Sequence, residues 1–214
     1  MVKYNTTVRK GKFVMFNKAL RNISAVLATV FYRIKYRFRV VGAENVPKEG
    51  GVLICANHRK AEDPVLIYVA LRKRYIYFFA KQALTEGRFL KWYMGDVLGV
   101  KAVSHTASDL GAVKWGVNKL KNGEVVGIFP EGTRNRTEND LLEFQHGAAI
   151  IAYMAKTKVV TVTINCNRKL FSRCEVIFSE PLDFTELYKQ RFNDDVKNEI
   201  TNKIYENVRK SLKK

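Results

Sequence analysis

The sequence predicts a single α/β domain in which helices flank a largely parallel central sheet, preceded by an amphipathic N-terminal helix. The main observation is that short apolar runs alternate with segments of helical periodicity along the chain. Strands that are separated by helices imply parallel pairing with right-handed crossovers. No internal repeat, low-complexity tract or linker rich in Pro and Gly marks a second domain within the 214 residues. We therefore divide the chain into a basic N-terminal segment, residues 1–35, and one domain, residues 36–214.

The N-terminal segment is predicted to form an amphipathic helix over residues 13–31. Its apolar residues follow alternating three- and four-residue steps, which place them on one helical face: Phe13, Phe16, Leu20, Ile23, Leu27 and Val30. The longest nearly unbroken apolar stretch, residues 25–32, is far below the roughly 20 residues that cross a bilayer. We therefore expect residues 1–35 to associate the protein with a membrane surface. The alternative is a helix that packs only on its own domain.

The elements of the domain follow in order from Tyr36, where alternating polar and apolar residues predict a first strand. Further apolar runs are predicted as buried strands at residues 51–56, 75–80, 100–103, 125–129 and 159–164. Helical patterns fill the gaps at residues 64–72, 88–97, 108–121 and 147–156, and a polar amphipathic helix extends from about residue 194 to the end.

The charge of the chain points to a polyanionic partner. The sequence holds 38 Lys and Arg residues against 20 Asp and Glu, a formal net charge of +18. Such an excess is tolerated near nucleic acid or a membrane with anionic lipid. The first 43 residues are basic and contain no acidic residue, although a solvated basic tail is an alternative reading of this segment. No nucleic acid is expected, because no recognition-helix or ribonucleoprotein motif is present. The expected partner is an anionic membrane surface.

The three cysteines, Cys55, Cys166 and Cys174, are too few and too scattered to suggest a disulfide framework. No Cys-x-x-Cys pair suggests a metal or redox site. A reducing location that faces the cytosol fits this usage best. Cys55 lies inside a predicted strand, so a buried structural thiol is favoured over a catalytic nucleophile.

His58 and Asp63 are the first candidate catalytic pair. They are five positions apart, a spacing that a regular helix does not bring together. A turn does so, and the context predicts one, because Asp63 is a good N-cap and Pro64 is favoured at the first position of a helix. A carboxylate on one imidazole nitrogen leaves the other free to take a proton from a hydroxyl. The alternatives are that Asp63 only caps a helix and that His58 is an ordinary histidine.

The second candidate site is Glu131-Gly132-Thr133-Arg134, which follows the predicted strand 125–129. Gly132 permits close backbone approach, and the planar guanidinium of Arg134 suits a phosphate monoester held by two hydrogen bonds. The segment is not a nucleotide P-loop, since neither Gly-x-x-x-x-Gly-Lys-Ser/Thr nor Gly-x-Gly-x-x-Gly is present. A phosphate-binding turn is therefore predicted. A surface turn with a solvated arginine is the alternative.

These two motifs together resemble those of a known family. Asn57-His58, four residues and Asp63 form an HX4D motif, and Phe129-Pro130-Glu131-Gly132-Thr133-Arg134 follows about 70 positions later. The pair resembles the 1-acyl-sn-glycerol-3-phosphate acyltransferase family, also called the lysophosphatidic acid acyltransferase or PlsC-like family. The resemblance covers roughly residues 40–180 and includes Ala80-Lys81 and Phe144-x-x-Gly147-Ala148-Ala149.

The resemblance implies a reaction in phospholipid biosynthesis. A fatty acyl chain would pass from acyl carrier protein or coenzyme A to the sn-2 hydroxyl of lysophosphatidic acid, giving phosphatidic acid. No metal or redox cofactor is implied, since the acyl thioester is a co-substrate. We favour direct transfer of the acyl chain over a route through a covalent acyl-enzyme, because the Gly-x-Ser-x-Gly elbow of the α/β hydrolases is absent. The implied location is the cytoplasmic face of the cell membrane, as a peripheral or monotopic protein.

The resemblance also implies residue roles. His58 would be the general base and Asp63 its partner. The acceptor site would consist of Glu131, Gly132, Thr133 and Arg134, with Arg134 nearest the phosphate and Lys81 adding positive charge.

Several positions depart from the family pattern. Ser104-His105 stand where an acidic residue followed by Arg is common, Gln145 where Lys is frequent, and Thr161 where Pro is usual. Two expected cations are thereby missing or weakened, so another lyso-lipid acceptor is an alternative. A non-catalytic basic protein that binds lipid or nucleic acid is the alternative from a different class.

Overall fold

The computed structural model describes residues 2–72, 74–82, 87–103, 110–137, 140–167 and 169–213, with side chains from Met15 onward. Seven strands in these ranges form one sheet in the order β1-β7-β6-β2-β5-β3-β4. The strands are β1 (Arg37–Val41), β2 (Val52–Ala56), β3 (Ile76–Lys81), β4 (Lys101–Val103), β5 (Val125–Ile128), β6 (Lys158–Cys166) and β7 (Arg173–Phe178). The helices are α1 (Val2–Lys35), α2 (Asp63–Ala70), α3 (Arg88–Lys91), α4 (Leu110–Lys121), α5 (Gly147–Ala155), α6 (Thr185–Lys189) and α7 (Asp194–Lys210). Helix α3 continues as a π-helix over Trp92–Val97.

The sheet is largely parallel, which confirms the prediction. Strands β6, β2, β5, β3 and β4 all run in one direction. Their carboxyl ends therefore meet at one edge of the sheet, which we call the carboxyl edge. Only the outer part is reversed in the described residues, since β7 is antiparallel to β6 and β1 pairs in parallel with β7.

Helices cover both faces of the sheet, so that its apolar residues are buried on each side. On one face, residues of α4, α5, α6 and α7 pack against Leu53, Val126 and Val159. On the other face, Leu66 and Ile67 of α2 pack against strand residues that include Ile54 and Val176. The two faces together give the continuous apolar strands that the sequence pattern predicts.

Strand β7 is absent from the predicted elements. Its sequence, Arg-Cys-Glu-Val-Ile-Phe, places a carboxylate in the middle of a short apolar run. In the folded chain Glu175 is buried and forms ion pairs with Arg39, at 3.5 Å, and with Lys213. Tertiary pairing thus accommodates a residue that disfavours a strand on its own.

The cysteine prediction requires a correction. Cys166 and Cys174 lie directly opposite each other in the β6–β7 pair and are joined by a disulfide bond. A single turn brings together two residues that we judged too scattered to pair. The bond also removes the support that cysteine usage gave to a reducing location.

Helix α1 turns its apolar residues outward. Five of the exposed ones continue the predicted stripe as far as Ile34: Phe16, Ile23, Leu27, Val30 and Ile34. Met15, Val26 and Phe31 are exposed beside them. On the side facing the domain, Asn17 and Thr29 are buried and the Ser24 hydroxyl is hydrogen-bonded to that of Tyr93, at 2.8 Å. We call the exposed set the α1 stripe. In the described part of the chain, no helix combines the length and apolar character needed to span a membrane.

Candidate active site

The candidate site lies at the carboxyl edge, where β2 ends. All five residues of β2 are buried. The next residue, Asn57, bonds to β6 as a further strand residue would. Its Nδ2 donates to the carbonyl of Ile164 at 3.2 Å, and its Oδ1 accepts the N–H of Ile164 at 2.8 Å. Asn57 therefore sets the point at which the chain leaves the sheet, and His58 is the first residue beyond it.

His58 and Asp63 form a hydrogen-bonded pair, with 3.0 Å between Nδ1 of His58 and Oδ2 of Asp63. The same oxygen accepts the backbone N–H groups of Arg59 and Lys60, both at 2.7 Å. The carboxylate thus closes the turn that brings it to His58, which explains how residues five positions apart meet. The Asp63 side chain has no exposed surface, whereas 17% of the His58 side chain is exposed.

The predicted N-cap role of Asp63 is wrong. Helix α2 begins at Asp63, with Pro64 in its first turn, and Glu62 occupies the cap position. The Asp63 carboxylate bonds N–H groups that precede the helix instead of those inside it. Glu62 links this turn to α1, because its carboxylate accepts from Nζ of Lys35 and from the hydroxyl of Tyr36, each at 2.8 Å.

The imidazole of His58 stacks on Phe129. The ring centroids are 4.1 Å apart and the planes are inclined by 23°. Phe129 directly follows β5, the neighbour of β2 in the sheet, so both rings extend from the carboxyl edge. The stack and the bond to Asp63 fix the ring, and they leave Nε2 as the nitrogen that a substrate hydroxyl can approach.

Glu131 is held inside the protein. Its exposed fraction is 4%, and its two carboxylate oxygens accept backbone N–H groups of His58, at 2.6 Å, and Leu142, at 3.0 Å. Burial raises the pKa of Glu131, while the two N–H groups and His58 act in the opposite direction. These contacts show that Glu131 holds the His58 backbone, while its predicted part in the acceptor site stays a prediction.

The rest of the second motif is exposed. Gly132 has a φ of 68°, in the left-handed region that favours glycine, and its N–H donates to the carbonyl of Phe129 at 3.0 Å. Thr133 and Arg134 follow on the surface. The next residue, Asn135, donates its N–H to the carbonyl of His58 at 2.6 Å. Because Asn135 contacts the His58 backbone directly, Arg134, the preceding residue, lies close to His58.

Lys81 is the last residue of β3 and is exposed. Strand β5 separates β3 from β2, so Lys81 lies at the same carboxyl edge as His58 but two strands away. The structure thus joins His58, Asp63 and Glu131 by direct hydrogen bonds. It places Arg134 next to that group and Lys81 farther along the edge.

The departures from the family pattern have different surroundings. Ser104 and His105 lie outside the described residues. Gln145 is exposed, and its backbone N–H donates to the carbonyl of Pro130 at 2.7 Å. Thr161 is buried within β6, where its hydroxyl donates to Oδ1 of Asn207 on α7 at 2.5 Å. The change at Thr161 therefore concerns the packing of α7.

Cys55 is buried inside β2, as expected for a structural thiol. Burial raises the pKa of its thiol well above the usual range, so the thiol stays protonated. A thiolate nucleophile at this position is excluded by the same burial.

Three residues that position the site escaped prediction: Asn57, Glu62 and Asn135. A polar amide directly after a buried strand is a signal that could have identified Asn57 as a strand-end anchor. Glu62 and Asn135 carry no such signal, because their partners lie on α1 and in the His58 turn, far away in sequence.

A histidine that is hydrogen-bonded to a buried carboxylate, at the carboxyl edge of a parallel sheet, is an arrangement typical of enzyme active sites. Comparison with known proteins gives the particular family. Residues 37–165 match the model of the acyltransferase family, described as "Acyltransferase". This range includes both motifs, and the chain belongs to that family.

Three curated relatives carry the name 1-acyl-sn-glycerol-3-phosphate acyltransferase. The protein from Borreliella burgdorferi is 32% identical over 67% of this chain and 56% of its own length. The protein from Streptococcus pneumoniae is 26% identical over 95% of this chain and 76% of its own. The protein from Bacillus subtilis is 28% identical over 70% of this chain and 77% of its own. This chain thus spans little more than half the length of the first relative.

A crystal structure has the same fold. The 1-acyl-sn-glycerophosphate (LPA) acyltransferase PlsC from Thermotoga maritima superimposes with a TM-score of 0.68. The match covers 97% of this chain and 90% of the Thermotoga chain, at 24% sequence identity. The similarity extends beyond the family range to the helices at both ends.

Proposed function

We propose that this protein transfers a fatty acyl chain from an acyl thioester to the sn-2 hydroxyl of 1-acyl-sn-glycerol-3-phosphate, giving phosphatidic acid for phospholipid biosynthesis. The names of the relatives support this acceptor. The observation that carries the proposal is the His58–Asp63 pair, at 3.0 Å between Nδ1 and Oδ2, beside the exposed residues of the second motif. The acyl donor is a thioester of acyl carrier protein or coenzyme A, and the transfer as proposed uses no cofactor.

His58 acts as the general base in the proposed reaction. In the neutral imidazole that acts as the base, Nδ1–H donates to Asp63 and the lone pair of Nε2 takes the proton of the acceptor hydroxyl. The hydroxyl oxygen then attacks the thioester carbonyl carbon and forms a tetrahedral intermediate. As the C–S bond breaks, the imidazolium returns the proton to the leaving thiolate. Atoms and charges balance without an acyl-enzyme.

Asp63 supports both states of the imidazole. It is fully buried and accepts three hydrogen bonds on one oxygen, which fixes the carboxylate in place. A fixed carboxylate stabilises the imidazolium that forms during attack, and it holds the tautomer that exposes Nε2.

Arg134 is proposed to bind the phosphate of the acceptor, with Gly132 and Thr133 shaping the turn around it. The guanidinium is exposed next to the His58 contact, and its planar fork suits two hydrogen bonds to phosphate. Lys81, at the same edge, adds positive charge. The second candidate is transfer to a different lyso-lipid, which the neutral and exposed Gln145 favours because a lysine is frequent there in the family.

We further propose that residues 1–35 attach the acyltransferase domain, residues 36–214, to an anionic membrane at its cytoplasmic face. The outward α1 stripe supports this, since contiguous exposed apolar residues mark an interaction surface. The basic residues Lys18, Arg21 and Arg33 of α1 complement anionic lipid. The acceptor itself is a membrane lipid, so a protein held at the bilayer meets it there.

The test is acyl transfer by the purified protein in liposomes that contain phosphatidylglycerol, with an acyl thioester and 1-acyl-sn-glycerol-3-phosphate. We expect product from the wild type and a rate lower by roughly 10²–10⁴-fold for His58→Ala, which loses the general base. Circular dichroism shows whether the variant is folded. Unchanged activity of folded His58→Ala contradicts the mechanism, and product only with other lyso-lipids identifies the second candidate.

A further inference from the structure

The turn between β6 and β7 carries two large apolar residues in the open. Leu170 and Phe171 are 65% and 61% exposed. Lys169 and Arg173, on either side of them, are exposed as well. Exposing two large apolar side chains to water is unfavourable. An apolar tip between basic residues instead suits the surface of a bilayer, where apolar groups enter the acyl region and cations contact the headgroups.

The tip is held in a specific conformation. Phe171 has a φ of 58°, a backbone region that a bulky aromatic residue rarely adopts. Its N–H donates to the carbonyl of Lys35 at 2.7 Å, and the N–H of Arg37 donates to the carbonyl of Ser172 at 2.9 Å. These two bonds fasten the turn to the end of α1. The strained conformation is therefore maintained by contacts on both sides, which points to a function for the exposed ring.

The turn continues the α1 stripe. Ile34, the last residue of that stripe, and Phe171 line the same open surface cavity, together with Arg33 and Arg37. Apolar side chains of α1 and of the turn thus border the same opening, with basic residues beside them.

The turn and the candidate active site lie at the same edge. Strand β6 runs parallel to β2, so the turn after β6 and His58 after β2 both lie at the carboxyl edge. The ion pair between Lys35 and Glu62 further links the end of α1 to the His58–Asp63 turn. A bilayer that contacts Phe171 therefore lies next to the carboxyl edge, which holds the candidate active site.

We propose that Leu170 and Phe171 form a second membrane contact, which inserts into an anionic bilayer beside α1 and turns the carboxyl edge toward the lipid. The proposal rests on the membrane association proposed for α1. The α1 stripe is a narrow line of contact about which the domain can still tilt, whereas a second contact away from that line limits the tilt and brings the carboxyl edge toward the bilayer.

Charge favours a bilayer over a second copy of the chain. A symmetric dimer through this surface would place Arg33, Arg37, Lys169 and Arg173 against the same four residues of its partner. Like charges at an interface cost binding energy. Anionic lipid headgroups instead neutralise all four.

The experiment compares vesicle binding of full-length variants. Leu170→Ser combined with Phe171→Asn removes the apolar tip without changing net charge, and Asn adopts the left-handed conformation more readily than Phe, so the fold is retained. Met154→Ser is the matched control, since Met154 is 50% exposed near the end of α5, toward the opposite edge of the sheet. Binding is measured by flotation with vesicles of phosphatidylcholine and phosphatidylglycerol.

We expect the double variant to bind at least about tenfold more weakly than wild type, from the loss of two inserted side chains, and the control to bind as wild type does. Equal binding of the double variant overturns the proposal, as does an equal loss in Met154→Ser. Size-exclusion chromatography without lipid adds a further outcome. A wild-type dimer that the double variant fails to form would make this surface an interface between copies, and would also overturn the proposal.

Acyl transfer in detergent micelles separates this proposal from the proposed function. There the acceptor is presented without a bilayer, so the double variant should keep wild-type activity while vesicle binding is weakened. If wild type shows no transfer in micelles or in liposomes but the double variant loses vesicle binding, the proposed function fails and the second membrane contact stands.

Discussion

The His58–Asp63 turn and helix α1 arrange their side chains in opposite ways. In the turn, the carboxylates of Asp63 and Glu131 are buried and bonded to backbone N–H groups of the same chain. In α1, the apolar residues of the stripe face outward and the polar Asn17 and Thr29 face the domain. The protein alone therefore fixes the geometry of the turn, whereas the described residues of the chain leave the α1 stripe exposed.

The largest effect is expected from removing the negative charge of Asp63. Asp63→Asn keeps an oxygen for the N–H groups of Arg59 and Lys60, but a neutral amide stabilises no imidazolium. We expect kcat to fall by roughly 10²–10⁴-fold, the usual contribution of general-base catalysis. Steady-state acyl transfer measures it. Asp195→Asn, which changes an exposed carboxylate on α7, is the charge-matched control, and an equal loss in both variants would refute a special role for Asp63.

The next effect separates Glu131 from Arg134 within one motif. Glu131→Gln can accept only one of its two N–H groups, so we expect the free energy of unfolding to fall by about 2 kcal/mol. Its kcat should also fall because the His58 backbone loses its support, while the KM for the acceptor stays unchanged. Urea denaturation and steady-state kinetics give these quantities.

The matched variant in that motif is Arg134→Ala. Because Arg134 is exposed, we expect its stability to stay within about 0.5 kcal/mol of wild type. Loss of a charge-assisted contact with phosphate should raise the acceptor KM by about 10- to 100-fold. A raised KM in Glu131→Gln together with unchanged stability would show that Glu131 binds the acceptor after all.

This contrast also explains what the sequence can predict. The parallel direction of the inner strands follows from apolar runs separated by helices. A His and a carboxylate that follow such a run can likewise be recognised in the sequence. Glu131 is different, because only the folded chain shows that its oxygens face the N–H groups of His58 and Leu142. The resemblance located the motif but did not show these backbone contacts of Glu131.

Helix α1 shows a second limit of sequence patterns. Periodicity places Phe16, Ile23 and Leu27 on one face, but it does not say whether that face points toward the domain or away from it. Strand β7 shows a third limit, since Glu175 interrupts its apolar run and is accommodated only by Arg39 and Lys213. For both α1 and β7, the missing information is a contact with residues that are distant in sequence.

A smaller effect is expected from the α1 stripe. Leu27→Ser combined with Val30→Ser removes two exposed apolar residues, so the free energy of unfolding should hardly change. Binding to vesicles with phosphatidylglycerol should weaken by about tenfold, since apolar burial at the membrane is lost. Flotation at physiological salt measures this. Unchanged binding would show that the α1 stripe does not contact the membrane.

The smallest effect is the pH dependence of stability that Glu131 contributes. Burial raises the pKa of this carboxyl above its ordinary value of 4.5. At pH values between 4.5, the pKa in the unfolded chain, and the raised pKa in the folded protein, the folded protein keeps a proton that the unfolded chain has released. The contribution of Glu131 to stability therefore falls as pH rises through this window. Gln does not titrate, so the difference in unfolding free energy between wild type and Glu131→Gln isolates the effect. Urea denaturation across the acidic range should show that difference shrinking as pH rises. A difference that instead grows with pH would mean that the N–H groups of His58 and Leu142 stabilise the carboxylate more than burial disfavours it.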